Sequence, residues 1–422
     1  MTGSSTLTGG LTAHLLPAGA RPSALDFAGI VEPDIIWEDA RWCRFVEHTD
    51  LHEIRYLEVR EDGQTVALAP LLFTAQPGGL LFYDPPRLVG TPGALAEPEL
   101  LDETGRQCWA ELSAALPGAR EDQYPSLALA TFGNHHGVAH TPGRTHDERQ
   151  AVMAVLPELL QQAGDELGCR SLALLYVGEP DAEAVDRCAS RAGYTAALLG
   201  AEGVQDLAAD SWTEYVAGLS KRRRVRLRKE VADYERAGMR TAVRCGPEAL
   251  DDEVIALQVA HRAKYGLPGG EDRVRRDFDS VREELGDACV VLRTERADRL
   301  VGFVLYLRTR DTLFARTAGF AADARGCYLT LTYHETARWA VEHGIRHVHY
   351  GMAAYEAKHA RGCRLRPRWG WFSFRGAGSD IFSETLALQS QSIERRLELV
   401  GAPAAPVASR HLSAPTEPKV ER

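Results

Sequence analysis

Apolar positions along the chain recur in two rhythms, every second residue and every third or fourth, and the rhythms alternate in blocks. Residues 53–59 and 65–73 alternate as strands around the turn Glu61-Asp62-Gly63. Gln76-Pro77-Gly78-Gly79 then leads into a third strand over 80–83. The same grammar returns at 288–294, 300–307 and 313–318, with Arg310-Asp311 at the second turn. Each meander is followed by alternating helices and strands. After the first come helix 97–116, strand 126–131, helix 148–167, strand 171–176, helix 181–192 and strand 196–199. After the second come helix 329–343, stopped by Gly344, then strand 345–350, helix 353–360 and a last strand over 369–374. An antiparallel meander feeding β-α-β units predicts an α/β fold with mixed sheets and helices on both faces. Two such units predict two tandem, pseudo-duplicated lobes.

The boundaries fall at composition changes. Residues 1–25, rich in Gly, Ser and Thr, read as a flexible N-terminus. Residues 26–205 form the first lobe and 206–392 the second, and 393–422, Pro/Ala/Ser-rich from Gly401, read as a disordered tail. Between the lobes, Ser211 and Glu214 have capping-box spacing, and a helix resumes over 221–237 until Gly238. Strand 239–244 and helix 247–265 follow.

Length agrees with this division, because 422 residues suit two lobes of about 150 to 200 each. No run of about 18 apolar residues predicts a membrane span. The N-terminus lacks a basic start before an apolar run, and the eight cysteines include no C-x-x-C pair. A cytoplasmic protein with reduced thiols and no metal is expected.

Net charge changes the picture more. The chain carries −10 overall, yet seven of the nine residues from 221 to 229 are basic. Lys221, Arg222, Arg223, Arg224, Arg226, Arg228 and Lys229 would cover most of a helix, leaving Val225 and Leu227 to pack. Like charges at three- and four-residue spacing repel by a few tenths of a kcal/mol per pair. Such a run points to an anionic partner, a phosphate or RNA. The alternative is a solvated helix neutralised by Glu230, Asp233 and Glu235.

At this run the chain resembles the Fem-like acyltransferases of the acetyltransferase (GNAT) fold. The matching order is Trp212-x-x-Tyr215-x-x-x-Leu219-Ser220-Lys221-Arg222-Arg223-Arg224, then a helix, Ala237-Gly238 and a strand. Further matches are His261-x-x-Lys264-Tyr265-Gly266, strand 300–303 and helix 333–337. The most specific is Tyr350-Gly351-x-x-x-Tyr355-Glu356-x-Lys358-x-x-Arg361-Gly362. The resemblance spans roughly residues 30–390. It implies transfer of an acyl group, frequently aminoacyl from a charged tRNA, to an amine. The donor is then a co-substrate and no cofactor is needed. The family's long inserted coiled-coil arm has no counterpart, so a small metabolite amine is the expected acceptor.

The residues give this outline some chemistry. Amine attack on an ester needs positioning, an oxyanion contact and a proton shuttle. Tyr350-Gly351 ends a strand, where ligands gather in open α/β sheets. Tyr355 and Lys358 lie three apart on one helix face. Lys358 suits a phosphate or a carbonyl, Tyr355 a proton donor and Glu356 a base pointing elsewhere; core packing and surface pairing are the alternatives. Arg316 is either a buried ion-pair partner or an anchor for a substrate carboxylate. Tyr265, Tyr333 and Tyr350 are expected to touch substrate, and Arg325 and Arg361 a donor phosphate. Asp323-Ala324-Arg325-Gly326-Cys327-Tyr328 occupies the place of a pyrophosphate loop, but its acid and bulky Tyr oppose acetyl-CoA. Phe132-Gly133-Asn134-His135-His136-Gly137 reads as a polar turn or substrate loop, and His347 and His349 as structural. Trp369 and Trp371 read as core residues of an edge strand. Two rivals remain: an acyl-CoA-dependent N-acyltransferase, and a non-enzymatic RNA-binding module.

Overall fold

The computed structural model describes residues 10–20, 34–49, 52–264, 270–324 and 326–402. Its strands are β1 (Leu11–Leu15), β2 (Glu53–Glu61), β3 (Gln64–Thr74), β4 (Ser126–Leu129), β5 (Ala139–His140), β6 (Ser171–Val177) and β7 (Thr195–Asp206). The second half adds β8 (Met239–Cys245), β9 (Cys289–Arg296), β10 (Arg299–Arg308), β11 (Thr312–Phe320), β12 (His347–His349) and β13 (Arg364–Phe374). All of them join one mixed sheet, in the order β1-β2-β3-β4-β6-β13-β7-β12-β11-β10-β9-β8, with β5 beside β3.

That order reads the same from both ends. Three antiparallel pairings lead inward from β1 to β4 and from β8 to β11. A parallel pairing follows on each side, β4 with β6 and β11 with β12. Then the halves exchange strands. β13, from the second half, lies against β6, and β7, from the first, lies against β12; the two exchanged strands pair with each other in the middle. Two lobes are therefore present, as the duplicated meanders predict, but neither sheet is complete without the other.

The exchange corrects two expectations. Trp369 and Trp371 lie in a central strand, where both are buried. The helix Ser379–Val400 packs against β7 and against the helix Glu103–Ala119, so residues 393–400 are helical rather than tail. Residues 11–15, assigned to a flexible N-terminus, form edge strand β1, which pairs with the otherwise open side of β2. Residues 80–83 form a short 3-10 turn, Leu81–Tyr83, instead of a strand. Residues 403–422 lie outside the described structure.

Local chemistry explains the helices. Thr145 and Glu148 cap the helix His146–Glu166 reciprocally. Ser211 accepts from the Glu214 N–H, and the Glu214 carboxylate reaches back to the Asp210 N–H. The chain then breaks at Leu219, and Ser220 caps a separate helix, Lys221–Arg236. One core cluster, holding Trp42, Phe45, Phe303 and Phe314, draws side chains from both halves. Two more large clusters follow, one holding Leu156, Leu172 and Trp371, the other Tyr306, Leu331 and Tyr350, with smaller ones around Tyr56 and Trp109. No described helix is long and apolar enough to cross a membrane.

Candidate active site

β11 and β12 run together for only three residues, Thr312–Phe314 against His347–His349. The chain then turns onto β7: the Tyr350 N–H donates to the Gly203 carbonyl and the Gly203 N–H to the Gly351 carbonyl, both at 2.9 Å. β11 continues alone on that edge. Within it, Leu305 of β10 faces Thr317 and Tyr306 faces Ala315, so Arg316 is the extra residue of a β-bulge. A bulge re-aims its side chain. Here the two features open a polar cavity of about 170 Å3 between the halves, lined by Ala315, Arg316, Glu202, His349, Tyr83 and Asn134.

Arg316 lies with its guanidinium 5.7 Å from the Trp42 ring and 5.3 Å from that of Phe45. Its Nε is buried without a hydrogen-bond partner, and none of the described residues pairs with it. Asp277, which shares its field, is bound to Arg273 at 3.0 Å. Burial lowers the Arg316 pKa. Of the two roles open to this residue, the ion-pair partner is absent among the described residues.

Facing it, Glu202 of β7 is clamped by Arg368 of β13, and its Oε1 lies 3.0 Å from His349 Nδ1. Burial alone would raise the Glu202 pKa; the charges of Arg368 and His349 overcome this and bring it down to about 2. The sign follows directly. Glu202 contributes stability above its unfolded value near 4.5, and that contribution is lost as pH falls towards 2. Glu202→Gln should therefore be less stable than the parent at pH 7, with a flatter loss of stability between about pH 4.5 and 2. Urea melts across that range measure this; parallel acid limbs would show that Glu202 is not held ionised.

A second cavity, of about 460 Å3, adjoins the first at Asn134. Its walls include Phe82, Tyr176, Met352 and Tyr355, and Arg396 at one side ties Glu97 (3.2 Å) to Glu356 (3.3 Å). The loop 351–354 separates the two spaces. Ala353 and Ala354 both adopt left-handed backbone (φ 64° and 51°), a strained state that needs external support. Lys358 supplies it, donating from Nζ to the carbonyls of Gly351 (2.6 Å) and Met352 (2.7 Å). Close approach to β7 demands glycine. A Cβ on Gly200 (φ 144°) would lie 2.5 Å from Met352 Cε and Tyr355 Oη, and one on Gly203 would lie 2.5 Å from Lys358 Cδ.

The residues singled out in the sequence thus separate. Tyr355 is on the cavity wall, its hydroxyl accepting from the Ala201 N–H at 3.2 Å. Glu356 is exposed and ion-paired. Lys358 is buried under the loop, with its amine on backbone carbonyls rather than open to a ligand. Tyr333 and Tyr350 belong to the core rather than to a substrate wall; the Tyr350 hydroxyl donates to Gln205. Arg361 is likewise not an open phosphate ligand: it grips Glu230 (2.6 and 3.2 Å), which also meets His334 at 2.6 Å. Arg223 and Arg226 donate to the carbonyls of His359 and Ala360, ending the helix Tyr355–Ala360, and Arg224 to those of Ala217 and Leu219. Lys221, Arg222, Arg228 and Lys229 are exposed. Tyr265 and Arg325 lie outside the described residues. Of the acids offered as neutralisers, Glu230 holds Arg361 and Asp233 holds Arg236 (2.7 Å) rather than the basic run.

The first half keeps only a closed version of the cleft. There the Gly133 and Asn134 N–H groups both donate to the Tyr83 hydroxyl (3.0 and 3.1 Å), which plugs the gap. Glu38, His135 and His136 cluster nearby with metal-like spacing. Both imidazoles accept a backbone N–H at Nδ1, from Gly137 and Val138, so each neutral ring carries its proton on Nε2 and has no lone pair there to give a metal. Burial also pushes the Glu38 carboxyl up to about 7, which weakens it as a ligand.

Glu202, His349, Arg368 and Tyr83 were not among the site residues read from the sequence. His349-Tyr350-Gly351 at the end of a strand was the available signal for one of them.

Two halves, each with a parallel strand pair at the same place in a palindromic sheet, define a tandem acetyltransferase-type fold. The C-terminal domain of a protein assigned as a lysylphosphatidylglycerol synthetase from Agrobacterium fabrum superposes with a TM-score of 0.50. It covers 88% of this chain and 95% of its own at 14% identity. FemX superposes with a TM-score of 0.51, covering 86% of this chain and 97% of its own at 9% identity. No protein of curated function matches the sequence significantly. The sequence model of the FemAB-like family, described as peptidoglycan biosynthesis/recognition, matches residues 107–399, and the chain belongs to that family.

Proposed function

We propose that the protein is an acyltransferase that forms an amide bond, carrying an aminoacyl group from aminoacyl-tRNA to an amine of a small metabolite. The observation that carries this reading is the free edge of β11 beside the polar cavity. A backbone amide near the Ala315–Arg316 bulge is suitably placed to meet a developing oxyanion, an interaction worth about 3 kcal/mol when preorganised. The Tyr355 hydroxyl, on the adjoining wall, suits the leaving oxygen.

A polyanionic donor fits the surroundings. The exposed cations Lys221, Arg222, Arg228 and Lys229 lie on the first half or middle of a helix that caps the end of Tyr355–Ala360 through Arg223 and Arg226. Six helical residues span about 9 Å, so the basic surface lies a short distance from the loop that lines both cavities. Against acyl-CoA stands the segment leading into the helix that begins at Cys327. The Tyr328 ring beside Phe320 takes the place of a small residue that close backbone approach to pyrophosphate needs. Asp323, paired there with Arg296 and Arg299, repels little.

A transfer assay tests the reading. Protein incubated with tRNA charged with labelled amino acids and a pool of small amines should yield labelled amides. Prior RNase treatment should abolish them, and a panel of acyl-CoA thioesters should give none. Turnover with acyl-CoA that ignores RNase would replace the donor with the thioester rival.

A further inference from the structure

The central cavity holds two charged systems that the fold alone does not require. Arg316 is a guanidinium with aromatic rings at 5.7 and 5.3 Å and no partner among the described residues. A planar fork in such a cage is shaped for a bidentate carboxylate. Across the cavity, the Glu202 carboxylate can only accept, so His349 Nδ1, 3.0 Å away, carries the proton between them. In the neutral ring Nε2 is then a lone pair, and no described residue donates to it. Phe314 lies against the imidazole at 4.7 Å and fixes its plane, while Arg368 fixes Glu202. A base oriented by a carboxylate, beside an unanswered cation, is the arrangement that an amine carrying its own carboxylate would complete.

We propose that the acceptor is an amino acid, its carboxylate held by Arg316 and its ammonium deprotonated by His349. The proposal rests on the acyl-transfer reading above. The ammonium gives one proton to His349 Nε2, and the resulting imidazolium is stabilised by Glu202. The free amine attacks the donor ester carbonyl. The C–N bond forms, the C–O bond breaks, and the second amine proton goes to the departing hydroxyl oxygen; His349 then returns its proton to solvent. The other ionisable groups around the imidazole are Arg316 from β11, Arg368 from β13, and Tyr83 and His135 from the first half.

The test uses glycine, β-alanine and L-lysine, each against its amide, with charged tRNA as donor. The parent should prefer acids to amides by at least tenfold in kcat/KM. Arg316→Gln should bring that ratio to about one, mainly through KM. His349→Gln should lower kcat by about two orders of magnitude for acids and amides alike. Hydroxylamine, neutral at pH 7, should still be acylated by His349→Gln above the uncatalysed rate, which also shows that the variant is folded. Equal use of acids and amides by the parent, or an unchanged ratio in Arg316→Gln, would overturn the carboxylate assignment. Parental kcat in His349→Gln would remove it as the base. If no amine is acylated, hydroxylamine included, the acyl-transfer reading itself falls.

Discussion

Lys358→Met should lower turnover by about two orders of magnitude and leave the protein folded. The substitution keeps the volume of a side chain that lies across Gly203 and removes only the amine. That amine holds the carbonyls of Gly351 and Met352, and with them a loop containing two left-handed alanines. Without the clamp the strain at Ala353 and Ala354 is released by moving the loop, and displacement by about 1 Å at a reacting centre can cost 100-fold. Burial pushes the Lys358 pKa down to about 8. Its neutral form still has two N–H groups for two carbonyls, so the clamp survives titration and the variant's defect should persist across pH 7 to 9. Turnover and thermal unfolding measured side by side check this. Parental turnover in a folded Lys358→Met protein would show that the loop needs no clamp.

Lys358 also shows how far the sequence could be read. Helical spacing put Tyr355 and Lys358 on one helix face, but the structure gives them different surroundings on the helix Tyr355–Ala360, which follows two left-handed residues. Tyr355 meets the cavity, and Lys358 lies beneath the loop. The β2–β3 hairpin and the second meander were legible because period-two patterning and Gly/Asp turns are local signals, whereas 80–83, read as a strand, is a 3-10 turn. The exchange of β7 and β13 was not, because strand order is decided by contacts between distant segments. Glu202 and Arg368 meet only through that exchange, so the carboxylate behind His349 had no local signature. The helix Glu271–Leu285 does carry apolar residues at helical spacing, Val274, Phe278, Val281 and Leu285, amid dense charge. Arg316 lay between two readings until the bulge and the lack of a described partner separated them.

Neutralising Lys221, Arg222, Arg228 and Lys229 together should weaken binding of charged tRNA by roughly 100-fold at low salt and flatten its salt dependence. These four are chosen over the neighbouring arginines on structural grounds. Arg223, Arg224 and Arg226 bind backbone carbonyls, so replacing them would disturb the end of the helix Tyr355–Ala360 or the break at Leu219 along with any phosphate contact. The exposed four share a helix without acids in its first turn, in a chain whose net charge is −10 overall. Each phosphate neutralised contributes about 0.7 to 0.9 to the slope of log affinity against log salt. Four contacts therefore amount to roughly 3 in slope, which over the range from about 50 to 200 mM salt is close to two decades of affinity. Filter binding of charged tRNA at several salt concentrations reads both quantities. Equal slopes for the parent and the fourfold variant would mean that phosphate is met elsewhere, and the basic helix would lose its place in the donor site.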